Sequence, residues 1–183
     1  VAEIDNLINA IDLSQSEGTR NKAMLKVLYG CGLRVSELIN VKVSNLHLEV
    51  EFIKIEGKGN KERLIPIGHQ ARKYLKIYLE EARPHLPIKT GSEDYVFLNR
   101  RGAPLSRVMV FIIIKDLASK ICLNKKISPH TFRHSFASHL VEGGADLRAV
   151  QDMMGHESIT TTEIYTHIDK DYLQSIITQY HPR

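Results

Sequence analysis

Tryptophan is absent from this chain of 183 residues, cysteine occurs only twice, and aromatic residues make up 7%. The two cysteines, Cys31 and Cys122, form no spaced cluster, which excludes a disulfide scaffold and a cysteine-based zinc site. They read as a buried, reduced pair in a reducing compartment. Long apolar runs are missing too. The longest, Val108 to Ile114, falls far short of the roughly 20 residues that a membrane span needs. No repeat, low-complexity tract or clear internal linker interrupts the pattern. The opening residues lack the charged-then-apolar order of a signal segment. The chain opens on Val1 rather than Met, as expected of a piece of something longer.

What is present fits one globular domain. Hydrophobic residues are 43% and charged residues 25%, close to ordinary averages. A chain of this length buries about 70% of its unfolded surface, so the core needs no staples. The net charge of +4 leans weakly toward a polyanionic partner.

The apolar spacing predicts a mainly α (α+β) fold with a small antiparallel sheet. Ile4, Leu7, Ile8 and Ile11 mark a first amphipathic helix. Thr19 caps a second that ends at Gly30 and Gly32, and a short helix covers Val35 to Ile39. Val50 to Glu56 and Glu62 to Ile67 read as strands. Gly57-Lys58-Gly59-Asn60-Lys61 between them is a hairpin turn, since glycine and asparagine tolerate positive φ. Gln70 to Ala82 returns to helix, and Tyr95 to Leu98 reads as a third short strand. Ser106 to Ile121 is apolar enough for a buried helix. Ser128-Pro129 sets an N-cap with proline at the first helical position, and that helix runs to Gly143-Gly144. Asp146 caps another that stops at Gly155, and Thr160 with Glu163 can form a capping box before Tyr165. Asp169 caps a last helix with Leu173, Ile176, Ile177 and Tyr180 on one stripe.

The densest polar cluster is His130-Thr131-Phe132-Arg133-His134. His130 and Arg133 share a face in the first turns after Pro129, where free N–H groups favour an anion. Arginine suits a phosphate because its planar fork donates two parallel hydrogen bonds. The plainer alternative is an exposed helix face paired with nearby acids. His130 and His134 have zincin spacing, but Thr131 stands where such a site needs its glutamate, so no metal is expected. Taken singly, other candidates have plain readings. His156 can be a helix C-terminal partner, Tyr165 a packing residue, Arg34 with Glu37 a helix ion pair, and Lys58 a solvated turn lysine.

Taken together, these segments resemble a known family. They are Gly32-Leu33-Arg34-Val35-Ser36-Glu37-Leu38, Gly57-Lys58-Gly59-Asn60-Lys61-Glu62-Arg63, Ser128-Pro129-His130-Thr131-Phe132-Arg133-His134, Gly155-His156 and Tyr165. Their order is similar to the catalytic domain of the tyrosine recombinases, or phage integrases. The run from Gly144 to Gln151 and on to His156 looks most like the XerC/XerD branch. The resemblance spans roughly Val1 to His167. It implies that residues 1–183 form a C-terminal catalytic domain, without the N-terminal core-binding domain that clamps the other side of DNA. For the tail helix from about residue 170 it offers docking on a neighbouring subunit, the alternative being that its apolar stripe packs on its own domain.

The resemblance carries roles to six positions. Arg34 and Arg133 would clamp the scissile phosphate, with His130 and His156 bonding it and His130 assisting proton transfer. Lys58 would be the general acid for the leaving 5′ oxygen, and Tyr165 the nucleophile. No cofactor or metal is implied, since two arginines supply what a metal supplies elsewhere. The implied partner is a double-stranded DNA recombination site, held by a homo- or hetero-tetramer on two duplexes. A partner recombinase or DNA translocase, a cytoplasmic setting on the bacterial nucleoid and no membrane complete the expectation. Arg100, Arg101, Arg107, Lys125 and Lys126 are candidate DNA-backbone contacts. Rival functions are a type IB topoisomerase with the same chemistry on one duplex, a non-catalytic DNA-binding module and, more distantly, a metallohydrolase.

Overall fold

The computed structural model describes residues 2–155 and 167–182, with side chains in the last stretch from Tyr172 onward. Helix α1 (Ala2–Asn9) turns Ile4, Leu7 and Ile8 inward, as their spacing requires. Helix α2 (Gly18–Cys31) starts one residue ahead of the expected Thr19 cap, and no side chain caps it. It is buried along most of its length and forms the central post of the domain. It stops because Gly32 takes a left-handed φ of 63°, and a side chain there would overlap the Phe136 ring. Helix α3 (Val35–Ile39) follows at once.

Three antiparallel strands stand in the order β1-β2-β3: β1 (Leu46–His47), β2 (Phe52–Glu56) and β3 (Glu62–Pro66). Ile53 pairs with Ile65, and Ile55 with Arg63. These four residues are buried, so period-two alternation puts one arginine among the isoleucines of the inner face. The turn between β2 and β3 has Gly59 at φ 73° and Asn60 at φ 59°, which is why glycine and asparagine stand there.

The third strand is β1 and not Tyr95–Leu98. Val96 N–H donates to Val41 O at 3.0 Å, and Leu98 N–H to the Tyr78 hydroxyl at 3.2 Å. Tyr78 in turn donates to Val96 O at 2.8 Å. With its N–H groups taken by a loop and a phenol, this segment makes only isolated bridges, at Tyr95 and Leu98. Tyr78 belongs to a wider π turn (Tyr78–Ala82) that continues α4 (His69–Ile77).

Helix α5 (Arg107–Lys120) begins where Ser106 Oγ accepts the Met109 N–H at 3.1 Å. It is not the buried helix its composition suggests. Val110, Ile113, Ile114 and Leu117 face the core, while Val108, Met109, Phe111 and Ile112 are exposed. Helix α6 (Pro129–Glu142) has the expected Ser128 cap, with Ser128 N–H donating to Thr131 Oγ1 at 3.1 Å. Its residues Phe132, Phe136 and Leu140 pack into the core. Helix α7 (Leu147–Met153) ends before Gly155, at φ 72°.

Helix α8 (His167–Tyr180) starts two residues ahead of the expected Asp169 cap. Leu173, Ile176 and Ile177 are buried against this chain's own β3, α6 and α7. The expected capping box of Thr160 and Glu163 lies outside the described residues. The cysteines do not form a buried pair, since Cys31 is buried and Cys122 is exposed. Among the described residues no helix is long and apolar enough to cross a membrane.

Candidate active site

The end of α2, the start of α3, the inner face of β3 and the N-terminal part of α6 meet around one carboxylate, Glu37. It is 4% exposed. Arg63 on β3 reaches it with two guanidinium nitrogens: Nη2 donates to Glu37 Oε1 at 2.9 Å, and Nη1 bonds Oε2. The Arg34 N–H donates to Glu37 Oε1 at 2.9 Å, which closes the first turn of α3. Two further guanidiniums flank the same carboxylate. Arg34 Nη1 lies 3.8 Å from Oε2, and Arg133 Nη1 lies 3.9 Å from Oε1. Arg34 and Arg133 are far apart in sequence, yet both stand within about one van der Waals layer of Glu37.

Arg133 is held by backbone. Its Nη1 donates to Gly32 O and its Nη2 to Met154 O, both at 2.6 Å. Gly32 is thus the hinge out of α2 and also a ligand for this arginine. Met154 O belongs to the end of α7, where unpaired carbonyls and the helix dipole favour a cation. Arg63 Nε takes the preceding carbonyl, Met153 O, at 3.1 Å.

The charges are unequal: one carboxylate faces three guanidiniums. Burial opposes ionisation of Glu37, but the hydrogen bond and charge of Arg63, the Arg34 N–H and Arg133 outweigh it. The Glu37 carboxyl is therefore held below the ordinary glutamate range. Burial first, and then the neighbouring Arg34 charge, bring Arg133 down to about 10, so it remains a cation at neutral pH. The side chain of Arg34 is 43% exposed and is the arginine of the three that opens to solvent. The arrangement carries surplus positive charge that meets solvent at Arg34, which suits an anion.

Of the six expected site residues, the structure brings Arg34 and Arg133 together. Lys58 is exposed in the β2–β3 turn. Its neighbour Gly57 packs on the cluster: a Cβ there would stand 3.5 Å from Glu37 Oε2 and 3.7 Å from Arg63 Nη1. His130 is exposed on the first turn of α6, whereas Arg133 on the next turn points inward, so the two part company beyond the shared helix. His156 and Tyr165 lie outside the described residues. Arg100 and Lys125, expected on DNA, are paired on the surface with Glu17 at 3.1 Å and Glu3 at 2.8 Å. Among the described residues no three His, Cys, Asp or Glu side chains gather to hold a metal.

Sequence reasoning missed the central pair. Glu37 reads there as a helix partner of Arg34, and Arg63 as a residue of the second strand with no partner assigned. The available signal was period two: Arg63 occupies the same strand face as Ile65, so it had to be a buried charge with a partner.

A mainly helical domain with a three-stranded antiparallel sheet is a fold this chain shares with recombinases of known structure. The chain belongs to the phage integrase family, whose model matches residues 1–171. It is 48% identical over 181 residues to the tyrosine recombinase XerD of Listeria innocua, covering 99% of this chain and 61% of that protein. It is 52% identical over 164 residues to the XerD of Chlorobaculum tepidum, covering 90% of this chain and 54% of that one. The crystal structure of XerA recombinase superposes with a TM-score of 0.76 at 34% identity, over 100% of this chain and 64% of that chain. A post-cleavage complex of XerH recombinase with its difH substrate gives 0.74 at 30% identity, over 95% and 50%. The chain thus spans about three fifths of the length of the Listeria relative.

Proposed function

We propose that this chain is the catalytic part of a site-specific DNA recombinase that cuts and rejoins strands through a 3′-phosphotyrosyl intermediate. The observation that carries this reading is the convergence of Arg34 and Arg133 on one buried carboxylate. Two forks fixed this way can hold both non-bridging oxygens of a phosphodiester and stabilise the charge that grows there during attack. Removal of one such preorganised donor typically costs on the order of 10²–10³ in rate.

In this reading the Tyr165 hydroxyl attacks phosphorus and gives up its proton to His130. A new Tyr165 O–P bond forms, the P–O5′ bond breaks, and Lys58 protonates the departing 5′ oxygen. His156 bonds the same phosphate. The reverse sequence with a 5′ hydroxyl from a second duplex completes strand exchange. The phosphotyrosyl bond keeps the energy of the phosphodiester, so no ATP or metal is required. The proposed assembly is a tetramer on two duplexes in the bacterial cytoplasm, on the nucleoid. A neighbour could receive α8 only if its stripe left the β3, α6 and α7 face that it covers in the single chain.

The test uses a nicked suicide substrate and a denaturing gel. The wild-type protein is expected to form a covalent adduct, in excess chelator as well, that maps to Tyr165. Tyr165→Phe should bind DNA and form none. An adduct on Tyr172 or Tyr180 would overturn the assignment. Recombinant products from two duplexes, rather than relaxation of one plasmid alone, separate this reading from a topoisomerase.

A further inference from the structure

We propose that Arg63 is a positioning residue for strand cleavage, which neutralises Glu37 so that this carboxylate does not draw Arg34 and Arg133 away from phosphate, and which fixes the end of α7. This rests on the recombinase reading given above.

Arg63 is 6% exposed, with its side chain turned into the protein. Its guanidinium is fully engaged inside the protein, by two nitrogens on Glu37 and by Nε on Met153 O. Three elements of distant sequence, α3, β3 and α7, are joined by this one side chain. A buried arginine needs partners of this kind, but the choice of partner is informative. Glu37 is the same carboxylate that lies 3.8 Å from Arg34 and 3.9 Å from Arg133. Without Arg63, a buried carboxylate would have no bidentate cation of its own. It would then pair with Arg34 and Arg133, and would compete with a DNA phosphate for both forks.

The second half of the role is at the helix end. Met153 O and Met154 O accept from Arg63 and Arg133 respectively, so the last carbonyls of α7 are set by two guanidiniums that both touch Glu37. Gly155 follows at φ 72°, pressed on Arg63: a Cβ there would lie 2.9 Å from Nη1 and 3.0 Å from Nε and Cζ. The end of α7 is therefore built on the Arg63 guanidinium, and glycine at 155 is the residue that allows the approach.

The experiment measures single-turnover adduct formation on a nicked suicide substrate, at saturating DNA, together with DNA affinity by gel shift. It uses the full-length protein at a temperature where thermal melts show every variant folded. Arg63→Gln is expected to cut about 10²-fold more slowly, while its DNA affinity stays within about threefold of wild type. Adding Glu37→Gln to Arg63→Gln removes the stranded carboxylate and should return about tenfold of that rate. A role confined to stability would not separate rate from affinity in a folded protein, nor give back rate at saturating DNA. Arg63→Lys keeps a cation but cannot reach Glu37 and Met153 O together. It should lose about tenfold in rate, and it decides the question if Arg63→Gln does not fold.

Wild-type rates in the folded Arg63 variants would overturn the proposal. So would a loss of rate that only parallels a loss of affinity, or a double variant no faster than Arg63→Gln. Absence of any adduct from the wild-type protein is a different result: it would overturn the recombinase reading, and this proposal with it.

Discussion

Glu37 ties folding to pH at the scale of a single residue. Its folded pKa lies below the ordinary value of about 4.3. The stability it contributes is therefore fully present above that ordinary value and is lost as pH falls through the lower, folded one. Glu37→Gln keeps the shape but removes the charge that faces Arg63, Arg34 and Arg133. Breaking a buried pair in this way typically costs about 3–5 kcal/mol. Melting temperatures taken from pH 7 to pH 3 should show a lower but flatter profile for the variant than for wild type. Equal slopes would mean that Glu37 is not the titrating group. The cysteines give a second residue-scale test. Burial pushes the Cys31 thiol up to about 12, whereas Cys122 is exposed. A maleimide pulse at neutral pH read by mass spectrometry should label Cys122 and spare Cys31 until the protein unfolds. Labelling of Cys31 in folded protein would contradict the packing around α2.

At the scale of elements, α5 and α8 predict opposite responses to truncation. Ile177 is buried under α8, so Ile177→Ala should cost about 2–5 kcal/mol in denaturant unfolding. Phe111 stands on the outer side of α5, and Phe111→Ala should change stability by only about 0.5 kcal/mol. A small effect at Ile177 would favour a tail that leaves its own domain. These two helices also show what a sequence tells and what it hides. The stripe of α8 was legible because i, i+3, i+4 spacing marks a single buried face. The exposure of half of α5 was not, since an all-apolar run has no polar side to mark the outside. Tyr95–Leu98 reads as a strand by composition, and the Tyr78 hydroxyl and Val41 carbonyl that occupy its N–H groups are contacts no local pattern carries. In the site, residue types and order were legible at Arg34 and Arg133. Their meeting at Glu37 was not, because approach in space between segments so far apart depends on how α2, β3 and α6 pack.

For the whole molecule, the proposed DNA binding should weaken with salt, in keeping with a net charge of +4. Arg107 is exposed at the start of α5. If it meets a phosphate, Arg107→Ala should weaken binding to all sequences alike and lower the slope of log affinity against log salt by about one. An unchanged slope would leave it as an ordinary surface arginine. The imbalance at Glu37 has a consequence for how this protein can be improved. Like charges confined together burden the folded chain, and in the proposed function a DNA phosphate completes the set. Selection for heat resistance alone would therefore work against the pocket. Arg34→Leu should melt higher than wild type and lose the extra melting temperature that wild type gains from added duplex. Libraries screened only for survival on heating would become enriched in sturdy proteins that have lost the arginine cluster and, on the recombinase reading, the strand cleavage it supports.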